Sequence, residues 1–173
     1  MNDFNLIVTT HRFAEEKAED EILELLENFG DSEAVSEITN VTGLIECRTA
    51  LDPFKVVAML IKNVQEEPWA IRYLLRVVPI EKVVNASLDE VADAASNLSA
   101  KMTEGDSFRI TVEKRHTVLQ SKSIISSIAA RVKNDVDLDQ PDWIILVEIV
   151  GGDVGVSVLK QSEIFSSVIE KRR

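Results

Sequence analysis

Residues Trp143 to Val150 read WIILVEIV, with Glu148 as the only charged side chain among them. A strand of that composition has no wet face, so it belongs inside a sheet that is covered on both sides. Gly151-Gly152-Asp153 follows, and then the apolar run Val154–Leu159, so the two runs read as a hairpin. Upstream, Phe108, Ile110 and Val112 alternate with Arg109, Thr111 and Glu113 as a strand should. Ser121 to Lys133 places Ile124, Ile125, Ile128, Ala129 and Val132 at helical spacing. Ser87 with Glu90 three residues on is a capping box, opening a helix that carries Val91, Ala94, Ala95 and Leu98. Thr103-Glu104-Gly105-Asp106 breaks the chain between that helix and the first strand.

The first half has a different order. Asn5–Thr9 reads as a strand, and Arg12 to Phe29 as a helix with Ala14, Ala18, Ile22, Leu26 and Phe29 on one stripe. Seven carboxylates from Glu15 to Glu27 occupy the other faces and are expected to point to solvent, while Gly30 ends the helix. Strands follow near Ala34–Thr39 and Gly43–Thr49. Asp52 and Pro53 then open a second helix, on which Val57, Leu60, Ile61 and Val64 share a face. Trp69 to Val78 alternates as a half-buried strand. The series is the ferredoxin-like βαββαβ order. The fold class is therefore α/β in the broad sense (α+β), with a ferredoxin-like domain over residues 1–79 and an α/β domain over 80–173. Ser162 onward reads as a short terminal helix with a Lys171-Arg172-Arg173 tail.

Charge divides the chain. The whole carries a net charge of -11, and all of it falls in residues 1–105, where 9 basic groups face 20 acidic ones. Residues 109–133 hold Arg109, Lys114, Arg115, Lys122, Arg131 and Lys133 against Glu113 alone. A phosphate backbone responds to that local excess, because charges beyond about 8 Å are screened at physiological salt. Lys114-Arg115-His116 lies where a strand ends, a place from which cations reach phosphates and a guanidinium stacks on a base. Ser121 and Ser123 open the next helix. There the free N–H groups suit a phosphate, or else either serine simply caps the helix.

Catalytic and metal motifs are absent from the sequence. Asp135-x-Asp137-x-Asp139 starts like a calcium loop, but Gln140 and Leu146 stand where Gly and Glu are needed. Gly151–Gly155 leads into a strand, which favours a hairpin turn over a phosphate cradle. His11 and His116 are too far apart in sequence to form a local ligand pair. Cys47 reads as a buried thiol in a strand, and Trp69 and Trp143 read as core residues. No metal, cofactor or catalytic group is expected. One cysteine excludes an internal disulfide and fits a reducing compartment. With no signal-like start and no membrane-length apolar run, the expected address is the cytoplasm, with no membrane contact.

The sequence of pieces in the second half carries a resemblance. Pro79-Ile80, a helix, Phe108–Arg115 ending in basic residues, a helix, Val136-Asp137-Leu138, Pro141-Asp142 and the glycine-turned pair to Val158 follow the order of the THUMP domain. That domain is an RNA-binding module of tRNA-modifying enzymes and their adaptors, and the resemblance runs from about Ile80 to Leu159. As a whole the chain resembles the adaptor family for tRNA cytidine N4-acetylation. The resemblance implies a non-catalytic protein that binds tRNA at the acceptor stem and 3′ end, and the chain is expected to be monomeric when free. It implies that a separate acetyltransferase does the chemistry. Arg109, Lys114, Arg115, His116, Ser121, Lys122, Ser123, Arg131 and Lys133 are the expected RNA contacts. Two other readings are an RNA-binding subunit for methyl transfer or thiolation, and an acidic protein-interaction domain that has lost RNA binding.

Overall fold

The computed structural model describes residues 1–172, so Arg173, the last residue of the basic tail, lies outside the described residues. In the first half, alternation and helical spacing give β1 (Leu6–Thr9), α1 (Glu15–Asn28), β2 (Val35–Ile38), β3 (Leu44–Arg48), α2 (Pro53–Glu66) and β4 (Arg76–Pro79). Their sheet order is β4-β1-β3-β2, with every neighbouring pair antiparallel. This is the expected βαββαβ series. Ala18, Ile22 and Leu26 of α1 and Val56, Val57, Leu60 and Val64 of α2 are packed on Leu6, Val8, Ile45, Cys47 and Val77. Asp52 caps α2 by accepting the Phe54 N–H at 2.8 Å, a contact that contributes about 1 kcal/mol. Cys47 is buried as expected, and burial pushes its thiol up to about 12.

Three expectations for this half are corrected. The strand expected from Trp69 begins only at Arg76. The N–H groups of Arg72, Tyr73 and Leu74 all donate to the Glu21 carboxylate at 2.9, 2.9 and 3.0 Å, so they cannot join a ladder. Trp69 consequently lies outside the sheet, and 69% of its surface is exposed where core packing was expected. Helix α1 starts at Glu15, after a connection in which Phe13 has φ +70°.

The second half forms β5 (Lys82–Asn85), α3 (Leu88–Leu98), β6 (Ser107–Arg115), α4 (Ser121–Ala129), β7 (Asp135–Val136), β8 (Trp143–Val150) and β9 (Asp153–Leu159). The sheet order is β5-β9-β8-β6-β7. Strand β8 is central, antiparallel to β9 and parallel to β6. The parallel pair needs a crossover, which α4 supplies. Ile145, Val147 and Ile149 lie in one core cluster with Val91 and Ala95 of α3 and Ile124 and Ile128 of α4. Ile144, Leu146, Glu148 and Val150 on the opposite face are buried as well, so β8 is covered on both faces. Gly151 (φ +61°) and Gly152 form the two-residue turn into β9. The short strands β5 and β7 carry no alternation long enough to read from sequence.

The last residues return to the first sheet. Phe165–Ser166 (β10) pairs antiparallel with β4, Phe165 opposite Val77, and the Phe165 ring is fully buried in the first core. A four-residue helix, α5 (Ser167–Glu170), follows. The chain thus divides into a first unit of Asp3–Ile80 with the residues from Ser162 on, and a second of Glu81–Gln161. This differs from a division into 1–79 and 80–173 in where the C-terminal segment goes. A two-residue strand has no period by which a sequence could announce it. Among the described residues, no helix is long and apolar enough to cross a membrane.

Candidate nucleic-acid interface

The basic segment does not form one patch. Strand β6 alternates, so Phe108, Ile110, Val112 and Lys114 project to the side of α3 and α4, and Arg109, Thr111, Glu113 and Arg115 to the other. Lys114 and Arg115, adjacent in sequence, therefore face apart. Lys114 is exposed at the strand end. Arg115 is turned onto the sheet, where its Nη2 lies 3.4 Å from Oε1 of the fully buried Glu148. Arg109, near the start of the strand, donates from Nη1 to the Leu138 carbonyl at 3.2 Å.

The β6-to-α4 connection is the richest end. His116 is exposed and sits at φ +53°, a left-handed conformation that few non-glycine residues adopt. Val118, two residues on, is 97% exposed. Thr117 steadies the connection by accepting the Leu119 N–H at 3.2 Å. Gln120 is the N-cap of α4, and its side chain makes no capping hydrogen bond. Ser121 and Ser123 are thus the first and third helical residues, and neither caps the helix. Lys122 and Ser123 are exposed, and the first turn contains no carboxylate. The first N–H groups of a helix have no partner within it, and the helix dipole makes this end positive. Lys114, His116, Ser121, Lys122 and Ser123 are in this way gathered around one strand end and one helix start.

Arg131 and Lys133 lie at the far end of α4, about 13 Å along a nine-residue helix. Arg131 is bound to Asp93, and its Nη2 lies 3.5 Å from Asp89 of α3. Lys133 is exposed and lines a shallow open pocket with Glu104, Gly105, Asn134 and Asp135. Nearby carboxylates hold loops together. Asp106 accepts from Thr103 N–H and Trp143 Nε1, both at 2.9 Å, and these bonds keep its carboxyl below the usual range. Trp143 is partly buried, tied by this bond. Asp137 accepts the Gln140 and Asp139 N–H groups, each at 3.0 Å, so the Asp135-x-Asp137-x-Asp139 run is a turn. No group of three or more His, Cys, Asp or Glu able to hold a metal occurs among the described residues.

Helix α1 is less uniformly acidic outside than expected. Glu15 accepts from the Gly43 N–H at 3.1 Å and the Phe13 N–H at 3.3 Å. Glu19 accepts from the Ser36 hydroxyl at 2.7 Å, and Glu21 holds the 72–74 backbone. Glu16, Asp20, Glu24 and Glu27 do face solvent. Sequence reasoning missed Val118 and Phe13 as exposed apolar residues beside cations. Nothing in the pattern of either segment marks them, because both lie in connections without a period.

Residues 85–159 match the model of the THUMP domain. Among curated proteins, the chain is 30% identical over 131 residues to the THUMP domain-containing protein 1 homolog of Drosophila melanogaster, covering 70% of this chain and 40% of that protein. It is 28% identical over 127 residues to an uncharacterized protein of Schizosaccharomyces pombe, covering 69% and 44%. The chain thus spans less than half the length of these relatives. Similar solved structures include PH1313 of Pyrococcus horikoshii, with 18% identity and a TM-score of 0.66 over 95% of this chain and 55% of that one. TrmN of Thermus thermophilus has 16% identity and a TM-score of 0.58 over 90% and 45%. A 4-thiouridine synthetase solved with RNA and ATP has 13% identity and a TM-score of 0.55 over 90% and 41%. At these identities the structures attest the fold alone. This chain carries a THUMP domain, matched over residues 85–159.

Proposed function

We propose that this chain binds tRNA through the β6–α4 end of its THUMP domain and presents it to a separate enzyme that acetylates cytidine N4. The observation that carries this reading is the exposed Lys114, His116 and Lys122 around an uncapped helix start, inside a domain whose model matches. Such an end offers anion binding by cations and free N–H groups together. That the chain does no chemistry itself rests on the lack of any nucleophile, base or cofactor motif in its sequence. Glu16, Asp20, Glu24 and Glu27 supply a face that repels RNA and suits a basic surface of the enzyme. A solved fold relative described as a 4-thiouridine synthetase in complex with RNA favours a second reading, in which the enzyme served does another chemistry.

Equilibrium binding of intact tRNA across a salt series tests the central claim. Affinity is expected to fall linearly on a log–log plot with the slope of a few released counterions. Removing the terminal CCA is expected to weaken binding more than shortening the anticodon arm. No binding at low salt overturns the reading, and base modification by the chain alone overturns the adaptor role. Purified candidate enzymes assayed with and without the chain separate acetylation from the other chemistries.

A further inference from the structure

Phe13 combines two costs that no packing offsets. Its φ of +70° is a conformation that disfavours a bulky side chain, and its ring is 85% exposed and absent from the core around it. The surroundings hold it there. Glu15 Oε1 accepts the Phe13 and Gly43 N–H groups together, and the Ala14 N–H donates to the His11 carbonyl at 3.0 Å. Gly43 comes so close that a Cβ there would lie 2.5 Å from the Thr10 carbonyl oxygen. The Arg12 guanidinium carbon lies 4.8 Å from the centre of the Phe13 ring, and its charge also acts on the Glu15 carboxylate. His11 beside it is exposed.

The sheet brings the 72–76 segment to this end of β1. Thr9 pairs with Arg76, and the Thr10 hydroxyl donates to the Tyr73 carbonyl at 2.7 Å. Arg72 is exposed, and Lys17 Nζ lies 5.5 Å from the Tyr73 ring centre. Three successive side chains with planar groups (imidazole, guanidinium, phenyl) are presented on one connection, the guanidinium against the phenyl ring. Aromatic rings beside cations are how single-stranded nucleic acid is held without base pairing. An apolar protein pocket would call for the ring alone.

We infer that the His11–Phe13 connection is a stacking platform for an unpaired nucleotide of RNA, with the base on the Phe13 ring and Arg12 at the phosphate. This rests on RNA binding by the chain but concerns the first unit, outside the THUMP match. The glutamates at the start of α1 repel a continuous phosphate backbone, so the contact is with a single base and not a duplex.

The test measures binding by the full chain of an RNA hairpin with a short single-stranded 3′ extension, and of the same hairpin made blunt. Phe13→Gly relieves the backbone strain while removing the ring, so its melting temperature is expected to match or exceed that of the parent. Its affinity for the extended RNA should fall about ten-fold, the loss of one stacked base, with the blunt RNA unaffected. Phe13→Trp should bind like the parent, and Phe13→Leu like the glycine variant. If Phe13→Gly binds the extended RNA as the parent does while Lys114→Glu weakens it, the platform is overturned and the THUMP reading stands. Equal losses on both RNAs, or full binding by Phe13→Leu, also overturn it, the latter pointing to an apolar protein pocket. Failure of the parent to bind either RNA at low salt overturns both.

Discussion

Two strand-to-helix connections can be set side by side, β1 to α1 in the first unit and β6 to α4 in the second. Each contains a non-glycine residue in the left-handed region, Phe13 at φ +70° and His116 at φ +53°. Each exposes an apolar side chain, Phe13 or Val118, next to cations. Their helix starts differ. Helix α1 has Glu15 and Glu16 in its first turn, whereas α4 has Ser121, Lys122 and Ser123. The start of α1 is thus closed to a phosphate and the start of α4 is open to one. A left-handed connection displays a side chain. The charge of the first helical turn decides what that display can accept.

The largest expected effect comes from erasing the open start. Lys114→Glu with Lys122→Glu should weaken tRNA binding on the order of 100-fold at moderate salt and lower the salt slope, with far-ultraviolet dichroism unchanged. If the double variant binds as the parent does, the two connections are equivalent and the comparison fails. Next comes Arg115, adjacent to Lys114 in sequence but paired with the buried Glu148. Arg115→Met should cost about 2 kcal/mol in urea unfolding, because it strips a partner from a buried carboxylate. Its effect on tRNA affinity should be small. A large binding defect with intact stability would return Arg115 to the interface.

Acid should test both units together. The Thr49 hydroxyl and the Ala50 N–H hold the Asp31 carboxyl below its ordinary range, as Thr103 and Trp143 do for Asp106. A depressed folded pKa gives stability that is complete above the unfolded value of about 4 and is lost as pH falls through the folded value. Urea midpoints should therefore drop below about pH 4, and Asp31→Asn should flatten part of that drop. A midpoint independent of pH down to 2 would contradict both assignments. The smallest effect is on the closed side. Neutralising Glu16, Asp20, Glu24 and Glu27 should tighten tRNA binding by about three-fold, through weaker long-range repulsion. Weaker binding would mean that this face touches the RNA.

Periodic segments were legible and aperiodic ones were not. Residues 143–159 announced a central strand, a glycine turn and a second strand, and all three are present. Asp52-Pro53 and Ser87 announced the helix starts they occupy. The strand expected from Trp69 failed because its amides were captured by Glu21, 51 to 53 residues away, a contact no local pattern encodes. The basic segment was legible as composition but not as a surface. Period two sends Arg109 and Arg115 to the face opposite Lys114, and α3 supplies the aspartates that occupy Arg131. What remained free at the β6–α4 end depended on pairings across the fold.

The return of Phe165 to β4 bears on the order in which the protein is made. Residues 81–161 are contiguous, so everything needed for their sheet has been synthesised before Ser162 is added. The first unit begins earlier but is finished later, since its fifth strand and the ring that completes its core follow residue 161. Until then β4 has a bare edge, the kind of surface on which nascent chains pair wrongly. The unit whose segments flank residues 81–161 is expected to reach its native state after the unit they enclose.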